Sequence, residues 1–90
     1  MHLYDFIVSY DISDSKRLVK IAKLMEKCAI RIQKSVFLLK ATKCELEELI
    51  FNIKNIINEE IDDVRIYKVN THKSLHLAMA TDLQNPMILV

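Results

Sequence analysis

The chain contains no glycine at all. Glycine-rich loops that cradle phosphates, and the first turn of dinucleotide-binding folds, depend on glycine at fixed positions. The nucleophile elbow of many hydrolases also needs a glycine on each side of its serine. The sequence therefore excludes P-loop nucleotide-binding proteins, Rossmann dehydrogenases and elbow-type hydrolases.

Length and composition indicate one small globular domain. The 90 residues are 51% hydrophobic and 28% charged, which is typical of a folded chain. We expect a single domain over residues 1–90, with its core in residues 1–69 and a C-terminal extension in residues 70–90. A core this small is marginal alone, and oligomerisation is a common remedy.

No segment of the sequence is predicted to enter a membrane. No run approaches the roughly 20 apolar residues of a spanning helix, and the N-terminus lacks the basic region and cleavage site of a signal peptide. Two cysteines, Cys28 and Cys44, are too few for a secreted disulfide framework. We therefore expect a cytoplasmic protein with reduced thiols.

Periodicity predicts strands over residues 3–10, 30–40, 63–69 and 86–90. A first helix is predicted after the turn at residues 11–15, ending at about residue 28, and a second after the N-cap at residue 42, ending at about residue 58. The second strand is long enough to predict a break near Lys34 and Ser35. Ser13 or Asp14 is expected to cap the first helix, and Thr42 with Glu45 fits a capping box for the second. A short element around residues 74–79 is a further expectation.

This order predicts a ferredoxin-like α+β sandwich of βαββαβ type with an extra C-terminal strand. We place Phe37, Leu39 and Tyr67 on the sheet face away from the helices, with Arg31 beside Phe37. A second copy of the chain would cover that face, so the expected assembly is a sheet-to-sheet homodimer. The terminal strand at residues 86–90 could pair with its own sheet or with the partner's.

Basic residues are concentrated in the first half of the chain. Residues 1–40 carry eight Lys or Arg and four Asp or Glu, whereas residues 41–90 carry five and eight. A row of lysines on the first helix is either a solvated face or a phosphate-binding ridge; it comprises Lys16, Lys20, Lys23 and Lys27. Arg17, Arg31 and Arg65 could likewise clamp phosphates or form salt bridges.

Tyr10 and Asp11 end the first predicted strand, where catalytic groups often lie on loops held by a rigid sheet. One carboxylate is a weak Mg²⁺ site, but the two Asp11 side chains of a dimer could share one ion. Asp11 could instead only cap the turn before the helix. His72 and His76 have helical spacing, yet no third zinc ligand is evident.

Three blocks of the sequence resemble one family. They run from Val8 to Asp14 with Lys16-Arg17-Leu18 after it, from Arg31 to Phe37, and from Asp63 to Tyr67. In this order and spacing they are similar to the second core CRISPR-associated adaptation protein, the small dimeric partner of the CRISPR integrase. The final run from Pro86 to Val90 also looks like the terminal strand of that family.

The resemblance implies a ferredoxin-like homodimer that acts in spacer acquisition, bridges integrase subunits and holds duplex DNA. It also implies a metal-dependent endonuclease activity on single-stranded RNA or duplex DNA. Asp11 matches the metal-binding aspartate of the family. Positions linked to activity or to the dimer-face site match Tyr10, Arg17, Arg31 and Phe37, and we add Arg65 and Tyr67 to the expected dimer face.

The sequence departs from the family at two points. Cys28-Ala29-Ile30 stands where members often have glycine, so a non-glycine residue is expected to end the first helix through an α or 3₁₀ exit. Lys68-Val69 replaces the usual Pro-Leu after the third block.

Two other functions stay open: a non-catalytic adaptor that holds DNA, and a toxin-like ribonuclease of the same fold. For the adaptor, Lys16, Lys20 and Lys23 would matter more than Asp11. An RNA-recognition sheet is disfavoured, because its signature needs glycines among the stacking aromatics.

Overall fold

The computed structural model describes residues 2–69 and 88–89 of the chain. The elements follow one another as β1 (Tyr4–Asp11), α1 (Ser15–Cys28), β2 (Ile30–Gln33), β3 (Val36–Ala41), α2 (Lys43–Ile56), β4 (Asp63–Val69) and β5 (Ile88–Leu89). The strands form one antiparallel sheet in the order β2-β3-β1-β4-β5. The predicted ferredoxin-like α+β fold with an additional C-terminal strand is confirmed.

Polar side chains begin both helices. Asp14 accepts a hydrogen bond from the Arg17 backbone N–H at 2.9 Å, so it is the N-cap of α1. At α2, Thr42 Oγ1 accepts from the Glu45 N–H at 3.2 Å, and Glu45 Oε1 accepts from the Thr42 N–H at 2.8 Å. This reciprocal pair confirms the predicted capping box.

The helices end without glycine through extended backbone. Ala29 follows α1 at φ −142° and ψ 166°, and its N–H still donates to the Met25 carbonyl at 2.8 Å. Ile57 ends α2 in the same way. The expected α or 3₁₀ exit from the first helix is therefore wrong: the chain leaves the helix through an extended residue whose N–H closes the last i→i−4 hydrogen bond, to Met25, so the left-handed conformation that favours glycine is not needed.

The predicted break in the second β region is confirmed. Lys34 and Ser35 form the turn between β2 and β3, and the register shifts between Arg31 and Gln33. The bulge lets β2 start on the edge of the sheet beside Leu38 and finish beside Val36.

The core lies between the helices and one face of the sheet. Alternation along β1 points Phe6, Val8 and Tyr10 toward the helices. Phe37 lies opposite Val8 in the register, so it shares that face and is completely buried. The prediction that Phe37 and Leu39 lie on the opposite face is wrong, because the pairing of β3 with β1 places both in the helix-side core.

The face of the sheet away from the helices, called here the outer face, carries an apolar row across three strands. Leu38, Ile7 and Tyr67 are cross-strand neighbours in that row. Tyr67 lies on the outer face as predicted but is only 6% exposed, whereas Ile30, which pairs with Leu38 at the edge, is 70% exposed. The outer face is therefore open at its β2 edge.

The C-terminal strand β5 pairs with β4 of its own chain, with Arg65 opposite Leu89. Residues 86–87 and 90 of the predicted terminal strand, the element expected at residues 74–79, and His72 and His76 lie outside the described residues. Within the described part of the chain, neither helix is long and apolar enough to cross a membrane.

Candidate nucleic-acid and metal site

A groove of about 470 Å³ lies at the carboxyl end of β1. Tyr10 and Asp11 line it from β1, Val19 from α1, and Arg31 and Lys34 from the β2–β3 hairpin. The fold thus brings together three of the predicted site residues that are as many as 21 positions apart in the sequence, and it adds Lys34 to them.

Tyr10 forms the buried side of this groove. Its ring stacks on Phe37 with centroids 6.0 Å apart and an interplanar angle of 22°. Burial raises the pKa of the Tyr10 phenol, while the nearby positive charge of Arg31 acts in the opposite direction. The phenol is therefore protonated at neutral pH, and its chemistry there is that of a hydrogen-bond donor rather than a base.

Arg31 packs over the same aromatic pair. Its guanidinium carbon lies 5.1 Å from the Phe37 ring centroid, which is a cation–π distance. Its ion pair with Glu26 is long, at 3.9 Å, and both side chains are about half exposed, so this pair contributes little. Arg31 was predicted on the outer face beside Phe37: the neighbour is right, but the face is wrong, because both residues lie on the helix side.

Asp11 is the exposed last residue of β1. Within the described residues its carboxylate makes no hydrogen bond or ion pair, and the cap of α1 is Asp14 rather than Asp11. Strand alternation assigns Asp11 to the outer face, with Ile7 and Ser9. Asp11 therefore lies on the same face of the sheet as the apolar row of Leu38, Ile7 and Tyr67.

Asp63 is a second carboxylate at this end of the sheet. It lies directly opposite Asp11 in the register of β1 and β4, and Arg65 Nε forms an ion pair with its Oδ2 at 3.2 Å. Sequence reasoning missed Asp63, although antiparallel pairing of the first and third predicted strands would have indicated it. The described residues contain no cluster of three or more His, Cys, Asp or Glu side chains that could hold a metal ion.

Mg²⁺ is commonly held by one or two carboxylates, with substrate phosphates and waters completing its oxygen ligands. The exposed Asp11 carboxylate could supply one such oxygen ligand. Lys16, Lys20, Lys23 and Lys27 are all exposed along α1, as the sequence predicts for either a solvated face or a phosphate-binding ridge.

Arg17 occupies a different environment from the lysines around it. Its Nε donates to Asp62 Oδ2 at 2.7 Å and its Nη2 donates to Asp62 Oδ1 at 3.2 Å. The Asp62 side chain is 1% exposed. Sequence reasoning missed Asp62, since it lies 45 positions from Arg17 in the sequence and no local pattern predicts their contact.

These features define a small ferredoxin-like protein with a basic helix and an exposed aspartate at the end of its first strand. The sequence matches the family model described as CRISPR associated protein Cas2 over residues 4–76. The chain therefore belongs to the Cas2 family, as the three sequence blocks predict.

Individual relatives agree with this family. The chain is 40% identical over 63 residues to CRISPR-associated endoribonuclease Cas2 1 of Nitrosomonas europaea, a match that spans 70% of the chain and 60% of the relative. It is 33% identical to CRISPR-associated endonuclease Cas2 of Halalkalibacterium halodurans, over 91% of the chain and 96% of the relative. A chain of the solved partial Cas6-RT-Cas1--Cas2 complex superposes with a TM-score of 0.71 at 25% identity, covering 97% and 93% of the two chains.

Proposed function

We propose that the chain acts in CRISPR adaptation as a homodimer that bridges integrase subunits, holds DNA and hydrolyses phosphodiester bonds of RNA or DNA with Mg²⁺. The similar relatives named endoribonuclease and endonuclease support a nuclease. The likeness to a chain of a complex that contains Cas1 and Cas2 supports an integrase partner. The exposed thiols of Cys28 and Cys44 suit a reducing cytoplasm.

One observation carries the nuclease assignment: Asp11 ends β1 between the groove that it lines with Tyr10 and Arg31 on the helix side and the outer face, to which strand alternation assigns its carboxylate. Asp11 would hold the Mg²⁺ together with Asp11 of a second protomer. When bound, the ion supplies neutralisation of phosphate charge and activation of water. Arg31 offers a planar, half-exposed guanidinium that binds a phosphate through two hydrogen bonds. Tyr10 holds the Phe37 ring over which Arg31 packs, and its phenol can donate one hydrogen bond into the groove.

Cleavage assays with matched variants test this assignment. Purified protein is incubated with single-stranded RNA or duplex DNA, in Mg²⁺ or in chelator, beside Asp11→Asn and Glu47→Gln. Glu47 is an exposed carboxylate on α2 and serves as the control. We expect metal-dependent cleavage that Asp11→Asn lowers by at least about 100-fold and Glu47→Gln leaves unchanged. Cleavage that survives in Asp11→Asn contradicts the assignment.

A second candidate function, the non-catalytic adaptor, is favoured by the exposed lysine row of α1. Each phosphate contact that is lost should reduce the slope of log affinity against log salt by about 0.9. Lys16→Gln, Lys20→Gln and Lys23→Gln are compared with Lys43→Gln, an exposed lysine at the start of α2. Reduced slopes for the α1 variants, together with no cleavage by wild type, would select the adaptor.

A further inference from the structure

Among the described residues, Arg17 and Asp62 form the most extensive side-chain contact at the Asp11 end of the fold. Two hydrogen bonds join the guanidinium to both carboxylate oxygens, and Asp62 Oδ2 also accepts the Asn58 backbone N–H at 2.9 Å. The Arg17 side chain is 24% exposed, against 1% for Asp62. Both oxygens of a buried carboxylate are thus satisfied, one of them twice.

The pair connects the two chain segments that adjoin Asp11. Arg17 stands on the first turn of α1, just after the loop that leaves Asp11. Asp62 immediately precedes β4, whose first residue, Asp63, is the cross-strand partner of Asp11. The Arg17–Asp62 contact therefore links the start of α1, which follows β1, to the start of β4, which pairs with the end of β1.

Arg17 stays in this contact because leaving it would carry a large free-energy penalty. If Arg17 turned toward a nucleic-acid phosphate, Asp62 would stay buried as an unpaired charge, which is strongly unfavourable. The lysines of α1 pay no such penalty, because they are exposed. Asp62 also holds Arg17 through two hydrogen bonds with the planar fork geometry that suits guanidinium.

We propose that Arg17 and Asp62 are positioning residues, which hold the Asp11 end of β1 against the start of β4, and that Arg17 is not a phosphate contact. The inference rests on the proposed function only in treating Asp11 as the metal-binding residue.

Hydrogen exchange of backbone amides tests the positioning role without substrate or metal. We expect Asp62→Asn to speed exchange by about tenfold or more at residues 10–11 and 63–64, relative to the amides of β3. Thr42→Ala is the matched control, because it removes a helix cap at α2 instead. It should change exchange at these four residues by less than about twofold. Equal acceleration throughout the sheet in Asp62→Asn would overturn the proposal.

Two substitutions at Arg17 give a graded test should Asp62→Asn fail to fold. Arg17→Lys keeps the charge but not the fork of donors, whereas Arg17→Gln loses the charge. Exchange at residues 10–11 and 63–64 should rise from wild type to Arg17→Lys and again to Arg17→Gln. No difference among the three proteins would overturn the proposal.

The salt dependence of nucleic-acid binding tests the second half of the proposal. Arg17→Gln should leave the slope of log affinity against log salt unchanged, whereas loss of a phosphate contact lowers it by about 0.9. A drop of that size in Arg17→Gln would overturn the inference and leave the proposed function standing. Absence of binding by wild type would instead contradict the proposed function, and hydrogen exchange would still decide the positioning role.

Discussion

Asp11 and Asp63 lie directly opposite each other at the ends of β1 and β4. Like charges in that arrangement repel, at a cost of about 0.2–1 kcal/mol. Arg65 offsets the charge of Asp63, while the described residues provide no such partner for Asp11. We therefore expect Asp11→Asn to raise the Tm in chelator by about 1–5 °C and to remove most of any rise in Tm that Mg²⁺ produces in wild type.

Thermal unfolding followed by circular dichroism, with and without Mg²⁺, checks this prediction. Glu47→Gln is the control, because it removes an exposed carboxylate from α2 and should leave both Tm values unchanged. A lower Tm for Asp11→Asn in chelator would mean that the Asp11 carboxylate stabilises the turn before α1, which is the structural alternative to a metal site.

Stability should depend on pH through Asp62. Hydrogen bonds from Arg17 lower the pKa of the Asp62 carboxyl, and the hydrogen bond from the Asn58 N–H lowers that pKa further. Desolvation by burial raises the pKa, but it is the smaller effect. A carboxyl with a depressed folded-state pKa stabilises the fold above the unfolded-state pKa, near pH 4. That contribution is lost as pH falls through the folded-state value.

Asp62→Asn should therefore lower the Tm by about 5 °C or more at neutral pH, and the difference from wild type should shrink below about pH 4. Melting curves of both proteins from about pH 2.5 to 7 measure this difference in Tm. A constant difference across that range would show that the packing of Asp62, and not its charge, stabilises the fold.

Phe37 and Phe51 provide a matched pair for the corrected position of the core. Phe37 is completely buried beneath the helices, whereas Phe51 is 65% exposed on α2. Phe37→Ala should lower the free energy of unfolding by about 3–5 kcal/mol, because it leaves a cavity beneath Tyr10 and Arg31. Phe51→Ala should change it by less than about 0.5 kcal/mol. Denaturant unfolding at low protein concentration, where a dimer would dissociate, measures both.

If Phe37→Ala lowers the free energy of unfolding only at high protein concentration, the ring lies in an interface between protomers, as the sequence alone suggested. A loss that is independent of concentration agrees with its place in the helix-side core.

The order of elements could be predicted because each signal is local. The capping box at Thr42 and the alternation in β1 depend on residues within one turn or one strand, and both are confirmed. The face of β3 could not be predicted in this way. Alternation separates Phe37 from Leu38, but only the register with β1 decides which of them meets the helices.

In the candidate site, too, the features that depend on local sequence could be predicted and those that depend on strand pairing could not. Tyr10 and Asp11 are adjacent, and the end of a strand is a local signal. Asp62 and Asp63 were missed because their roles depend on Arg17 and Asp11, which lie 45 and 52 positions away in the sequence. Contacts of this kind follow from topology, which periodicity alone does not provide.

Ile30 offers a test of the proposed homodimer. It is 70% exposed at the β2 edge of the outer face, beside Leu38 of the apolar row. If two sheets stack through this face, a lysine at residue 30 must be buried or must push the sheets apart. We expect Ile30→Lys to weaken dimerisation at least about tenfold while leaving the monomer folded, because the side chain contributes little to the core of its own chain.

Sedimentation velocity over a range of concentrations measures the dimerisation of wild type and Ile30→Lys, with Ile61→Lys as the control. Ile61 is 68% exposed, but it lies in the turn before β4 rather than on the sheet. Dissociation of Ile30→Lys alone supports stacking through the outer face. If Ile30→Lys stays as dimeric as wild type, the copies meet elsewhere, and a shared Mg²⁺ between two Asp11 side chains loses its geometric basis because Asp11 belongs to the same outer face.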